Sequence, residues 1–304
     1  MYNIKLGKSG IEVPTIAVGC MRIADKSQRE VEEFIDEAMS NEAIFFDHAD
    51  IYGRGESERV FGKALTPSLR EKMLLQTKCG IVPGRMFDFS YEHIISSVNG
   101  SLERLGTDYI DVLLLHRPDA LVEPCEVARA FDELKSSGKV RYFGVSNQNP
   151  YQIELLQNSL DMPLVTNQLQ LSIMHAPMLQ SGINVNMYND SAINRDGGIF
   201  DYCRLKNITV QAWSPVQHGF FKGCFIDDAA YPELNKRLQE LSEQYKVSKT
   251  TIAIAWILRH PARLQVVTGT TRLDRLRDCF AACDVALSRE EWYSLYLAAG
   301  NILP

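Results

Sequence analysis

Residues 43–53 read AIFFDHADIYG. The first four are apolar and fit a short buried strand. The next six carry Asp47, His48, Asp50 and Tyr52. A strand buried on both faces has no packing reason to end in two carboxylates, an imidazole and a phenol. Two later runs end in the same manner. MLLQT (73–77) leads into Lys78, and IDVLLL (110–115) leads into His116. In a barrel of parallel strands, reactive groups collect at the C-terminal strand ends. Asp47, Tyr52, Lys78 and His116 are therefore expected around one mouth.

Outward from this strand the same unit repeats. Strand-like runs lie at 15–19, 73–77, 110–115, 140–145, 164–168, 208–213 and 264–268. Between them, apolar residues recur at helical spacing over 27–40, 56–65, 91–104, 124–136, 150–158, 195–205 and 248–259. Ser27 and Glu30 fit a capping box at the head of the first helix. Eight strands, each followed by a helix, predict an α/β fold of the closed (β/α)8 TIM-barrel type. An open doubly wound sheet would want G-x-G-x-x-G after the first strand, whereas 19–22 reads GCMR. Residues 3–14 form two short runs about Lys8-Ser9-Gly10, which predicts a β-hairpin. Residues 216–247, after strand 7, and 286–304, at the C-terminus, exceed the repeat and are expected to add helices. No linker composition interrupts 1–304, so one domain is expected.

Composition narrows the function. The chain has 304 residues, 45% of them hydrophobic, and a net charge of −6. That balance argues against a nucleic-acid backbone binder. The seven cysteines include no C-x-x-C pair, so no zinc ribbon or thioredoxin-like motif is expected. The N-terminus MYNIKLGKSG has no apolar signal core, and no run approaches the roughly 18 apolar residues of a spanning helix. The expectation is a cytoplasmic protein with reduced thiols and no membrane partner.

Asp47, Tyr52, Lys78 and His116, in that order and at those strand ends, resemble the catalytic tetrad of the aldo-keto reductases. LERLGTDYIDVLLLHRPD (102–119), SGKVRYFGVSN (137–147), TNQLQLS (166–172) and AWSPVQHG (212–219) resemble further segments of the same family, with the closest likeness to a bacterial branch of oxidoreductases. The resemblance implies that the hairpin plugs the bottom of the barrel. It implies reduction of a carbonyl substrate, with Tyr52 as general acid/base and His116 orienting the carbonyl. Physical chemistry supports the pattern. A Lys78 cation held by Asp47 would favour phenolate at Tyr52 and lower its pKa from about 10. His48 alternates away from Asp47 and is expected to pack against the barrel wall.

Hydride chemistry needs a nicotinamide, and the resemblance implies where it binds. Ser146, Asn147 and Gln168 would hold the carboxamide. Trp213 would stack on the ring, in place of the tyrosine most family members carry. Met21 and Arg22 stand at the mouth beside Asp47. SPVQHGFFKG (214–223) resembles the pyrophosphate clasp, through Ser214, Gln217 and Gly219. Thr270, Arg272 and Arg275 match the site of a 2′-phosphate, so NADP(H) is expected over NAD(H). Gly269 and Cys279 depart from the family's usual Lys and Asn. No metal is expected, and a monomer is favoured. The competing readings are a metal-dependent barrel hydrolase using Asp47, His48 and His116, and a non-catalytic NADPH-binding regulatory subunit.

Overall fold

The computed structural model describes residues 1–304. Eight parallel strands close into a barrel: β1 (Ile16–Gly19), β2 (Phe45–Asp47), β3 (Leu74–Cys79), β4 (Ile110–Leu115), β5 (Val140–Ser146), β6 (Leu164–Gln170), β7 (Thr209–Trp213) and β8 (Gln265–Val267). Each strand pairs with the next in sequence, and β8 pairs with β1. The connecting helices are α1 (Gln28–Ser40), α2 (Glu56–Ala64), α3 (Tyr91–Leu105), α4 (Pro124–Ser136), α5 (Pro150–Gln157), α6 (Ile199–Lys206), α7 (Lys249–Leu258) and α8 (Leu273–Ala281). Ser27 and Glu30 complete both halves of the capping box on α1. Two helices of ten residues or more stand outside the repeat, Pro232–Tyr245 after β7 and Arg289–Ala298 near the C-terminus. No helix is long and apolar enough to cross a membrane.

The period-2 alternation of the strands places the site. Outward positions such as Val18, Phe46, Leu113 and Val266 join the large cluster under the helices. Inward positions such as Ala17, Phe45, Val112, Leu114 and Val267 form a smaller cluster inside the barrel. One further inward step from Phe45 is Asp47, and one from Leu114 is His116. The chemistry is thus a continuation of the interior row toward the C-terminal ends.

The lower end of that row is closed by the hairpin. Asn3–Lys5 pairs antiparallel with Glu12–Pro14. Its Ile4, Leu6 and Val13 pack among the interior side chains. The Gly7 amide donates to Thr209 Oγ1 at 2.8 Å.

Three details differ from the sequence reading. The helix expected from 195 begins at Ile199, because Asp196-Gly197-Gly198 forms a loop with both glycines at positive φ, 73° and 75°. A short helix, Pro177–Ile183, follows β6 and is too brief for periodicity to reveal. A small hairpin, Ile81–Val82 with Met86–Phe87, follows β3 at the mouth.

The seat of the plug depends on a residue without a side chain. Gly7 has φ of +52°, and a Cβ there would lie 2.2 Å from the Val165 carbonyl oxygen. Gly7→Ala is expected to lower unfolding free energy by about 1–3 kcal/mol, through backbone overlap that only a shift of the hairpin relieves. Urea denaturation of the two proteins checks this, and equal midpoints would contradict the seating described.

Candidate active site

The buried centre of the mouth is an ion pair. Lys78 is 0% exposed and Asp47 2%. Lys78 Nζ donates to Asp47 Oδ1 at 2.7 Å, to Asp47 Oδ2 at 2.8 Å and to the His48 carbonyl at 2.7 Å. It also lies 3.2 Å from the Tyr52 hydroxyl. Burial alone would lower the Lys78 pKa, but Asp47 and Tyr52 outweigh it and hold that pKa above its ordinary value.

Asp47 accepts two more hydrogen bonds, from Gln76 Nε2 at 2.6 Å and Gln168 Nε2 at 3.0 Å. Gln76 and Gln211 exchange reciprocal amide bonds at 2.9 and 3.0 Å. Gln211 donates to Gln265 at 2.7 Å, and Gln265 donates to the Pro14 carbonyl at 2.7 Å. A connected row of glutamines thus crosses the barrel from the ion pair to the hairpin. The sequence reading missed Gln76, Gln211 and Gln265. Their only signal is an amide at an inward position of an otherwise mostly apolar strand.

Tyr52 stands in a tight turn, Tyr52–Gly55, in which Gly53, Arg54 and Gly55 all have positive φ. Its ring meets the His116 ring edge-on, with centroids 5.9 Å apart at 81°. The expected lowering of the Tyr52 pKa is not found. Burial raises it, while the Lys78 charge opposes and the Asp47 charge reinforces the rise. The ion pair is nearly neutral as seen from the phenol, so it pulls less than a bare ammonium would. Tyr52 is therefore a protonated phenol at neutral pH. His116 is pushed well below its ordinary pKa by burial and by Lys78 and Arg117, so its ring is neutral. A phenol and a neutral imidazole facing one cavity can protonate and hold a carbonyl oxygen.

The cavity they face holds about 400 Å³. Met21, Arg22, Asp47, Tyr52, His116, Ser146, Asn147, Gln168, Trp213 and Ser214 all line it, while Lys78 lies beneath. Asn147 Nδ2 donates to Ser146 Oγ at 2.7 Å, and Trp213 Nε1 donates to Asn147 Oδ1 at 3.2 Å. Both Gln168 amide hydrogens go to Asp47 and Gln211, so only its carbonyl oxygen remains for a ligand. Arg22 bridges the mouth, donating to the Gly269 carbonyl at 2.7 Å.

The other expected residues stand outside the lining. Gln217 Oε1 is buried without a partner, and Gly219 packs close to the Lys222 side chain. Thr270 Oγ1 accepts from the Arg272 amide at 3.2 Å, and Arg272 pairs with Asp274. Arg275 has no carboxylate within ion-pair distance. His48 faces Phe61, ring centroids 4.5 Å apart, and both its nitrogens lack partners. No group of three or more His, Cys, Asp or Glu side chains converges to hold a metal ion.

An aromatic wall at Trp213, amide and hydroxyl groups beside it, and proton donors opposite fit a nicotinamide ring in this cavity. Comparison with known proteins decides the family. A model described as the aldo/keto reductase family matches residues 15–296. This chain belongs to the aldo/keto reductase family. It is 36% identical to a 6-dehydroglucose reductase of Agrobacterium fabrum, over 95% of each chain. It is 34% identical to the oxidoreductase YdhF of Escherichia coli, over 98% of each. Among solved structures, the thermostable aldo-keto reductase Tm1743 in complex with the inhibitor epalrestat superposes with a TM-score of 0.77 at 25% identity, covering 98% of this chain and 100% of the other. The protein is an oxidoreductase of that family, and its barrel is the family's barrel.

The neutral histidines make stability pH-dependent. Burial, reinforced by Lys78, lowers the His48 pKa to about 3, against about 6.5 in an unfolded chain. Above about pH 6.5 both states are neutral and this group contributes nothing. As pH falls from about 6.5 toward 3 the unfolded chain takes up the proton first, so stability is progressively lost. Melting curves from pH 8 to 4 are expected to show this fall, and His48→Phe is expected to make it shallower. Parallel slopes for the two proteins would show that His48 is protonated equally in both states.

Proposed function

We propose that this protein reduces an aldehyde or ketone to the alcohol with NADP(H), through Tyr52, Lys78, Asp47 and His116. One observation carries the reading. The Lys78 ammonium, held by Asp47, lies 3.2 Å from a phenol that opens onto the cavity. Bound NADPH supplies the hydride. Tyr52 delivers its proton to the carbonyl oxygen as that oxygen gains charge, and Lys78 stabilises the phenolate left behind. Neutral His116 donates a hydrogen bond to the same oxygen and fixes the face presented. Asp47 keeps Lys78 in place and charged.

Ser146, Asn147 and the free carbonyl of Gln168 would hold the carboxamide, and Trp213 the ring face. For the 2′-phosphate, Arg275 is the better candidate, because Arg272 is already engaged by Asp274. A metal-dependent hydrolysis would need a converging donor set that Asp47, His48 and His116 do not form. The 6-dehydroglucose reductases among the relatives make a sugar-derived aldehyde a reasonable member of any substrate panel.

Two outcomes test this reading. Tyr52→Phe is expected to lose about 10²–10⁴-fold in kcat while binding NADPH as the wild type does. Absorbance of NADPH over a panel of aldehydes and ketones measures it, and a variant as fast as wild type would remove Tyr52 from the chemistry. If neither protein turns over any carbonyl while both bind NADPH, the regulatory-subunit reading takes its place. Arg275→Ala is expected to weaken NADPH about tenfold and NADH hardly at all, since only the phosphorylated cofactor meets that charge. Equal weakening of both would place the 2′-phosphate elsewhere.

A further inference from the structure

Arg117 follows His116 at the end of β4 and is half-buried. Its guanidinium makes no hydrogen bond and no ion pair within the chain. It lies beside a pair of edge-to-face aromatic rings, 5.8 Å from the Trp213 centroid and 5.4 Å from that of Phe220. Burial pulls its pKa down. Its donors are open to the cavity and free of any protein acceptor, so they are available to a ligand there.

Arg117 also marks a boundary. With Asn147, Trp213 and Phe220 it forms the wall between the catalytic cavity and a second, open cavity of about 590 Å³. That annex is polar. Gln148 Oε1 and Gln170 Nε2 are buried there without partners, and Gln148 is only 3% exposed. Arg195 lines it too, bound only to the carbonyls of Asp190 and Ile193 at 3.2 and 3.3 Å. The one carboxylate in the lining is Asp196, whose Oδ1 accepts from the amides of Gly198 and Ile199. The annex therefore presents two unpaired guanidinium groups, one already-engaged carboxylate and two amides with bonding capacity left.

We propose that Arg117 is a substrate-selecting residue that binds an oxyanion, a carboxylate or a phosphate, on a carbonyl substrate whose reacting end lies at Tyr52 and His116. The proposal rests on the carbonyl-reductase reading above. Adjacency supplies the geometry. Arg117 lines the same cavity as Tyr52 and His116 and also lines the annex next to it. The planar guanidinium suits a two-oxygen contact with either anion. The positive site sits in a chain of net charge −6, so it is a local feature and not part of a generally basic surface.

The test compares kcat/KM for matched pairs. One arm sets ω-oxo acids of two to six carbons against unsubstituted aldehydes of equal length. The other sets glyceraldehyde 3-phosphate against glyceraldehyde, so the two arms separate a carboxylate from a phosphate. At least one anionic member is expected to be preferred. Arg117→Met is expected to shrink that preference about 10- to 100-fold, the usual weight of one charge-assisted hydrogen bond. Arg117→Lys should restore part of it, having the charge without the fork. The proposal is overturned if the wild type prefers no anion, if Arg117→Met slows both members of each pair alike, or if it weakens NADPH binding instead. Calorimetric binding of the corresponding ω-hydroxy acids, with NADP+ added, separates the two readings. Anion binding that depends on Arg117 without any turnover would sink the reductase reading alone. Turnover without anion preference would sink this proposal alone.

Discussion

The structure depends on keeping one ammonium and one carboxylate out of water together. Withdrawing each ion costs several kcal/mol, and their attraction offsets that only when every remaining donor and acceptor is also satisfied. Lys78 meets this condition through both Asp47 oxygens and the His48 carbonyl, with the Tyr52 hydroxyl completing its surroundings. Asp47 needs further donors, and the barrel supplies them as Gln76 and Gln168. Amides at inward positions of three or four strands would be a fault in an ordinary apolar core. Here they follow from the charge above them.

The same pair explains how the phenol is prepared. A lone ammonium would drive Tyr52 toward phenolate before any substrate arrived. With Asp47 attached, the field at Tyr52 is small and burial dominates, so the resting group is a phenol. His116 is likewise kept neutral by burial and by the cations nearby. The site therefore rests with its protons in place. In the proposed reduction the ammonium would act most strongly once a negative charge forms on the tyrosine oxygen.

Much of this was legible in the sequence, and the limits are physical. The barrel followed from strand-helix alternation, and the tetrad from ionisable residues that end apolar strands. Trp213, Ser146 and Asn147 followed from their position at later strand ends. The glutamine row was not legible, because one amide in one strand says nothing until register sets it beside the others; Gln168, Gln211 and Gln265 become neighbours only through pairing of β6, β7 and β8. The direction of the Tyr52 shift was misread because sequence gives the sign of a charge but not its burial or its counter-charge. Arg117 went unread for a related reason. Whether a guanidinium has a partner is a fact about space, and residues 117–119 alone, Arg117-Pro118-Asp119, would have suggested a local pair that does not form.

The glutamine row has one more consequence. Hydroxyl, carboxyl or water chains pass protons along by breaking and remaking bonds, whereas a carboxamide must hold its hydrogens to remain an amide. From Asp47 to the Pro14 carbonyl every link is an amide whose orientation is fixed, because both ends of the row only accept. The row is thus no path for protons between the ion pair and the hairpin. Tyr52 meets the cavity at the mouth, so any proton exchange at its hydroxyl takes place on the side where ligands enter.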